Sequence, residues 1–449
     1  MFTKVISSNK LHTYLFVFGL LYFCYTILVI HNVEPRWNWF PDVNDYKIQS
    51  QADLTSSDFY SPKPGAWFSP RPFTVPLFFK IADADPFKMV LLQKFTYCVC
   101  VISLLLAILA FITHFWLKII VQYSLLFFFT WWNIVGWSNL PVSESLSISF
   151  MFLWFSSILF YYKKQSALNI IFLIASSFFL SFTRDTWPYI ILLFCLLNIF
   201  ISKFLFIGST KKSVGLFMFS VCLFFAQNYT SNIGERYKLP VFNSLAGRVS
   251  KDDDYLTWFK SEGMPQGEIL KKDFKDVYID ADAGKPIIYK RYYDSTYTAL
   301  FSWVIKDGKS TYQKFLLTHP YYFFLQDLPS DTVKNNVFAR NLTYYQGSEG
   351  FFVNADYVFP LFNGWIYLVF FALLIFLFLK TKEVIYAFLI ALFILTSINA
   401  IMSYNADSLE IQRHLFITSI ILEFISLLTL LLVVNYICNL ITKKRLDTL

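Results

Sequence analysis

The sequence predicts an all-α polytopic membrane protein with about ten transmembrane helices, and three observations lead there. Of its 449 residues, 56% are hydrophobic and only 15% charged, more apolar surface than a soluble chain of this length can hide. Uncharged stretches of 18 or more residues recur along the chain, each long enough to cross a bilayer. The Lys and Arg residues behind the net charge of +8 sit in short loops beside those stretches, a pattern that orients helices in a membrane rather than one that recruits nucleic acid.

The spans read at 13–30, 88–113, 116–136, 143–162, 167–183, 187–207, 213–228, 361–380, 384–402 and 412–438. The first follows Lys4 and Lys10 and lacks a small-x-small cleavage site, so it is expected to be an uncleaved signal anchor. A cytoplasmic N-terminus places Lys118, Lys163, Lys164, Lys203, Lys211, Lys212, Lys380, Lys382, Lys443, Lys444 and Arg445 inside. An even number of helices then returns the C-terminus to the cytoplasm. The 53 Phe and 28 Tyr suit lipid contact and the membrane interfaces. All six cysteines fall in apolar stretches, so neither a disulfide framework nor a cysteine-based zinc site is expected.

Three units follow. Residues 1–228 form an N-terminal transmembrane module of about seven helices, with a first external loop at 31–87. Residues 229–360 form a small, mainly helical external domain. Residues 361–449 form a C-terminal transmembrane module of about three helices. Within the external domain, Asp252, Asp253 and Asp254 before Tyr255 predict a helix start, because carboxylates favour the positive end of a helix dipole. Gly263-Met264-Pro265 should end that helix, and a second amphipathic helix over 310–326 should break at His319-Pro320.

The first external loop carries the residues with chemistry. It contains Asp42 and Asp45, then Arg71-Pro72 and Pro76 leading back to the membrane. A carboxylate there suits a general base acting on an acceptor hydroxyl or amine, and an arginine at the membrane surface suits a lipid-linked phosphate. A solvated loop with interfacial aromatics is the plainer alternative.

In Asp42, in Tyr46 four positions later, and in Arg71-Pro72 with Pro76, the chain resembles the GT-C membrane glycosyltransferases, the class of the protein O-mannosyltransferases and the aminoarabinose transferases. The resemblance covers about the N-terminal 200 residues and rests on short motifs placed within a topology. It implies a polyprenyl- or dolichyl-phosphate sugar donor, transfer with inversion on the non-cytoplasmic side, and Asp42 as the catalytic carboxylate with Asp45 as the fallback.

Other turns on that side fit the same picture. Glu144 opens the fourth span and would assist an acceptor or a metal, or serve simply as a favourable helix-start carboxylate. Arg184 would contact the donor phosphate and Asp185 the acceptor or a metal, unless the two merely neutralise one another. Glu410, Arg413 and His414 share one face of the last helix start, where the basic pair would clamp a lipid phosphate and Glu410 would assist; interfacial anchoring is the alternative. Glu423 lies about 14 Å deeper in that helix; Lys94 is a candidate partner for it. The five histidines form no metal-ligand pattern and there is no phosphate-cradling glycine loop, so the one cofactor left open is a divalent cation, Mg²⁺ or Mn²⁺.

The expected partners are a polyprenyl-phosphate sugar, membrane lipids and a lipid, glycan or protein acceptor of the cell envelope, with no nucleic acid. The expected location is a bacterial inner membrane. Two competing classes remain: a transporter or flippase of a lipid-linked glycan, using Glu423 in a proton relay, and a non-catalytic scaffold. A polymerase or ligase of lipid-linked glycans would leave Asp42 and Arg71 unexplained.

Overall fold

The computed structural model describes residues 8–31, 42–65, 68–205, 209–274, 295–324, 364–406 and 411–447. Among these residues the chain is all helical, with one isolated bridge between Gly65 and Phe68 and no strand. The helices are α1 (Ser8–Tyr25, continued by a π-turn at Thr26–Ile30), α2 (Asp42–Ser50), α3 (Ser57–Tyr60), α4 (Thr74–Ile81), α5 (Pro86–Leu109), α6 (Phe115–Phe129), α7 (Trp132–Val135), α8 (Ser143–Lys163), α9 (Ala167–Ser181), α10 (Trp187–Phe204) and α11 (Thr210–Ile233). They continue as α12 (Lys238–Gly247), α13 (Asp253–Ser261), α14 (Gly267–Phe274), α15 (Thr298–Trp303), α16 (Lys309–Thr318), α17 (Pro320–Phe324), α18 (Gly364–Thr381), α19 (Val384–Ala406) and α20 (Ile411–Asp447).

Among the described residues, seven helical stretches are long and apolar enough to cross a membrane: Thr13–Ile30, Pro86–Leu109, Ser143–Lys163, Trp187–Phe204, Thr210–Ile233, Val384–Ala406 and Leu415–Thr442. Three other expected spans correspond to shorter apolar helices, Phe115–Phe129, Ala167–Ser181 and Ile366–Thr381. A 15-residue helix is only about 22 Å long, short of the ~30 Å hydrocarbon core. The helix expected over 116–136 stops at Phe129, where the Thr130 hydroxyl donates to the carbonyl of Phe127 at 2.7 Å; α7 and a 3₁₀ turn follow.

Helix α8 is the axis of the bundle, almost wholly buried, whereas α1 is mostly exposed at the periphery. Its serines explain the close fit, since small side chains let helix backbones approach and bond across the contact. Ser156 pairs with Ser103 of α5 at 2.6 Å, and Ser157 with Ser176 of α9 at 2.8 Å. Phe129, Phe152 and Phe155 close around Phe424 of α20 at centroid distances of 6.1–6.3 Å. The neighbouring Glu423 is buried. The Lys94 ammonium on α5 reaches the backbone carbonyl of His31 at 3.0 Å, at the end of α1.

The described residues between 238 and 324 have a core of their own, built around Phe242, Phe259, Tyr297, Val304 and Phe315. The Asp252 carboxylate caps α13 by accepting from the amides of Asp254 and Tyr255, each at 3.0 Å. Gly263 ends that turn at φ +90°, a conformation that costs other residues their Cβ clearance. The later amphipathic helix does not begin at 310 but runs on from α15 through a π-turn at Val304–Gly308, and it breaks at His319, because a residue before proline is driven out of the helical region. Its expected end at 325–326 lies outside the described residues, as do 275–294 and 325–363.

This unit docks on the bundle at the end of α19. The Tyr312 hydroxyl donates to the carbonyl of Asn405 at 2.9 Å, and the Arg248 guanidinium stacks on the Tyr404 ring at 3.9 Å.

Candidate active site

Helix α2 carries its polar residues at intervals of three and four. Asp42, Asp45, Tyr46 and Gln49 therefore share one face, while Asn44 and Ile48 point outward. Gln49 fixes the facing chain. Its Oε1 accepts the backbone N–H of Arg71 at 2.9 Å, and its Nε2 donates to the carbonyls of Arg71 at 3.0 Å and Phe59 at 2.8 Å. The Lys80 ammonium pins α4 to the end of α2 through the carbonyls of Ser50 and Ala52.

With its backbone held, Arg71 extends along the acidic face. Nη2 donates to Asp42 Oδ1 at 2.7 Å and to Asp45 Oδ2 at 2.9 Å, and Nε donates to Asp45 Oδ2 at 3.1 Å. The amide of Ser69 donates to the remaining Asp45 oxygen at 3.1 Å, so both oxygens of Asp45 are engaged. Arg71 Nη1 donates to neither carboxylate, and the side chain is 26% exposed. Burial pushes the Asp45 carboxyl above its ordinary value; the Arg71 charge and hydrogen bonds and the Ser69 amide oppose that without cancelling it. Burial alone would lower the Arg71 guanidinium, but Asp42, Tyr46 and Asp45 reverse the effect and hold it above its ordinary value.

Tyr46 links this trio to α8. The guanidinium lies 6.0 Å from the centre of the Tyr46 ring. The buried Tyr46 hydroxyl, its pKa raised by desolvation, lies within the fields of Asp42 and Glu144. Ser143 Oγ donates to Glu144 Oε2 at 3.2 Å. One turn further along α8, the Ser147 hydroxyl donates to Thr183 Oγ1 at 2.9 Å. Thr74, three residues after Arg71, donates its amide and its hydroxyl to the carbonyls of Phe182 and Phe179, both at 3.1 Å. The segments bearing Asp42, Arg71, Glu144 and Arg184 thus meet at one end of the bundle.

Asp185 departs from the alternative in which it merely neutralises Arg184. Its carboxylate accepts from Arg236 Nε at 3.2 Å, from Nη2 at 2.9 Å, and from Gln227 Nε2 at 2.6 Å. Arg236 was invisible as a site residue because its partner lies 51 positions away and nothing local marks the pair. Gln49 and Ser143 were missed as well; the spacing of Gln49 from Asp42 and Asp45 was the one available signal.

Arg413 and His414 fall in the first turn of α20, and their side chains lie outside the described set. Glu410 lies outside the described residues. Among the described residues, no three His, Cys, Asp or Glu side chains come together in a way that would hold a metal ion. In comparison with known proteins, no family model matches the chain and no curated protein matches its sequence.

Proposed function

We propose that the protein is a membrane glycosyltransferase of GT-C type that takes a sugar from a polyprenyl-phosphate donor on the non-cytoplasmic side of a bacterial inner membrane. The observation that carries this reading is the partly open Asp42–Arg71–Asp45 cluster on the first inter-helix segment, at the end of the bundle where the Glu144 and Arg184 turns also converge. The ten-span topology belongs to the proposal. It counts the three shorter apolar helices as crossings too, with the 229–360 domain outside.

In this reading Asp42 takes the proton of an acceptor hydroxyl or amine as that atom attacks the anomeric carbon. The bond from that carbon to the phosphate oxygen breaks, and the lipid phosphate leaves with the electron pair, inverting the centre. Asp45, with both oxygens committed, holds Arg71 rather than sharing the proton transfer. Arg71 spends Nε and Nη2 on carboxylates, so its part is to orient Asp42, with Nη1 left to meet the donor phosphate. Stabilising the departing phosphate then falls mainly on Arg184, Arg413 and His414. Tyr46, Ser143 and Glu144 form the wall on the acceptor side.

Donor binding tests the reading. Full-length protein in nanodiscs is titrated with a polyprenyl-phosphate sugar, alongside Arg184→Gln. Saturable binding that weakens in the variant supports the proposal; no binding by the wild type overturns it.

A further inference from the structure

Helix α11 ends in a junction, residues 227–236, that touches both arginine-bearing turns. The chain reverses there through Gly234 and through Glu235 at φ +47°. The reversal brings Gly234 so close to Pro70 that a Cβ on it would lie 2.9 Å from the Pro70 Cβ. Pro70 immediately precedes Arg71. Two residues further on, the Arg236 side chain is only 4% exposed and aims at Asp185, next to Arg184. Besides its three contacts to that carboxylate, Arg236 Nη2 donates to Thr230 Oγ1 at 3.0 Å and to the Gln227 carbonyl at 3.4 Å.

The same junction is fastened to the 238–324 unit. The Lys309 ammonium donates to Asn232 Oδ1 at 2.7 Å and lies 4.9 Å from the centre of the Tyr237 ring. The Tyr237 hydroxyl donates to the carbonyl of Ile305 at 2.9 Å.

We propose that Arg236 is a positioning residue that, with Gly234, sets the Arg184 and Arg71 turns in register and couples them to the 238–324 unit. The functional half of this inference rests on the glycosyltransferase reading; the structural half does not. A buried guanidinium committed through a two-atom fork to one carboxylate has a single favoured geometry, so it fixes the turn carrying that carboxylate. Gly234 fixes the other turn by contact, because no side chain fits between it and Pro70. Asp185 accordingly acts as the anchor of this junction rather than as a group assisting the acceptor.

The test compares Arg236→Gln, Gly234→Ala and Tyr312→Phe in the full-length protein, by amide exchange and by binding of decaprenyl phosphate. Tyr312→Phe is the control, since it removes a contact between the same unit and a different part of the bundle, at Asn405. Arg236→Gln is expected to speed exchange over 183–187 by about tenfold, Gly234→Ala to do so over 69–74, and both to weaken binding of the lipid phosphate. Tyr312→Phe should leave both stretches unchanged. The inference is overturned if the added exchange stays within 227–240, or if Tyr312→Phe loosens the same turns. If the turns loosen as expected while wild-type protein binds no decaprenyl phosphate, the positioning role stands and the glycosyltransferase reading fails. Should Arg236→Gln fail to fold, Arg236→Lys, which keeps the charge but loses the two-atom fork, is read over 183–187 in its place, and unchanged exchange there overturns the inference.

Discussion

Arg71 Nη2 and Asp42 Oδ1 lie 2.7 Å apart although 29 positions separate the two residues. The contact closes a segment of chain that leaves one membrane-length helix and leads back towards the next. It exists because α2 puts Asp42 and Gln49 on one face: Gln49 grips the Arg71 backbone, and Asp42 and Asp45 take the side chain.

Arg71 should therefore matter to stability as well as to any reaction. Arg71→Met leaves two partly buried carboxylates facing each other with no cation, and should cost about 3 kcal/mol, the low end for breaking a buried ion pair. Arg71→Lys keeps the charge but cannot meet both carboxylates through Nε and Nη2, and should lose less. Denaturant unfolding in detergent micelles measures both; equal stability of all three proteins would contradict the clamp.

Gln49 gives a cleaner structural test because it carries no charge. Gln49→Leu removes three hydrogen bonds and strands backbone groups of Arg71 and Phe59. The expected loss is about 2–4 kcal/mol, with faster amide exchange at 69–74. A change confined to α2 would show that the Arg71 backbone is held by something else.

The pH dependence of stability should carry a signature from His31. Burial, with a smaller contribution from the nearby Lys94 charge, holds its imidazole down to about 4, against 6.5 ordinarily. Between those values the unfolded chain binds a proton that the folded chain refuses, so stability falls as the pH drops from 6.5 towards 4 and is restored as it rises again. His31→Phe should flatten that slope in thermal melts taken across the window. An unchanged slope would place the titration elsewhere.

Much of the helical frame was legible in the sequence, and the reason is physical. A bilayer-length helix needs a local property, a long uncharged run, and residues 95–113, 145–162 and 384–406 each display one. The cap at Asp252 and the break at His319-Pro320 are local too, set by atoms within a few positions of one another. What the sequence concealed is tertiary. Asp185 has a basic neighbour at Arg184 but pairs with Arg236, and Lys94 reaches a carbonyl at the end of α1. The Asp42 and Arg71 motifs could be singled out as chemistry. Their mutual contact, and the part Gln49 plays in making it, depend on how α2 packs against α4.

The central claim is that Asp42 is the base of a sugar transfer, and turnover is its most direct measurement. Wild type and Asp42→Asn are purified in nanodiscs and given a panel of polyprenyl-phosphate sugars, with release of the lipid phosphate followed over time. The account predicts slow release by the wild type and a loss of about 10²–10⁴-fold in the variant, with donor binding and the fold kept and only a small fall in melting temperature, since Asn can still accept from Arg71. Release at the wild-type rate by Asp42→Asn would contradict it.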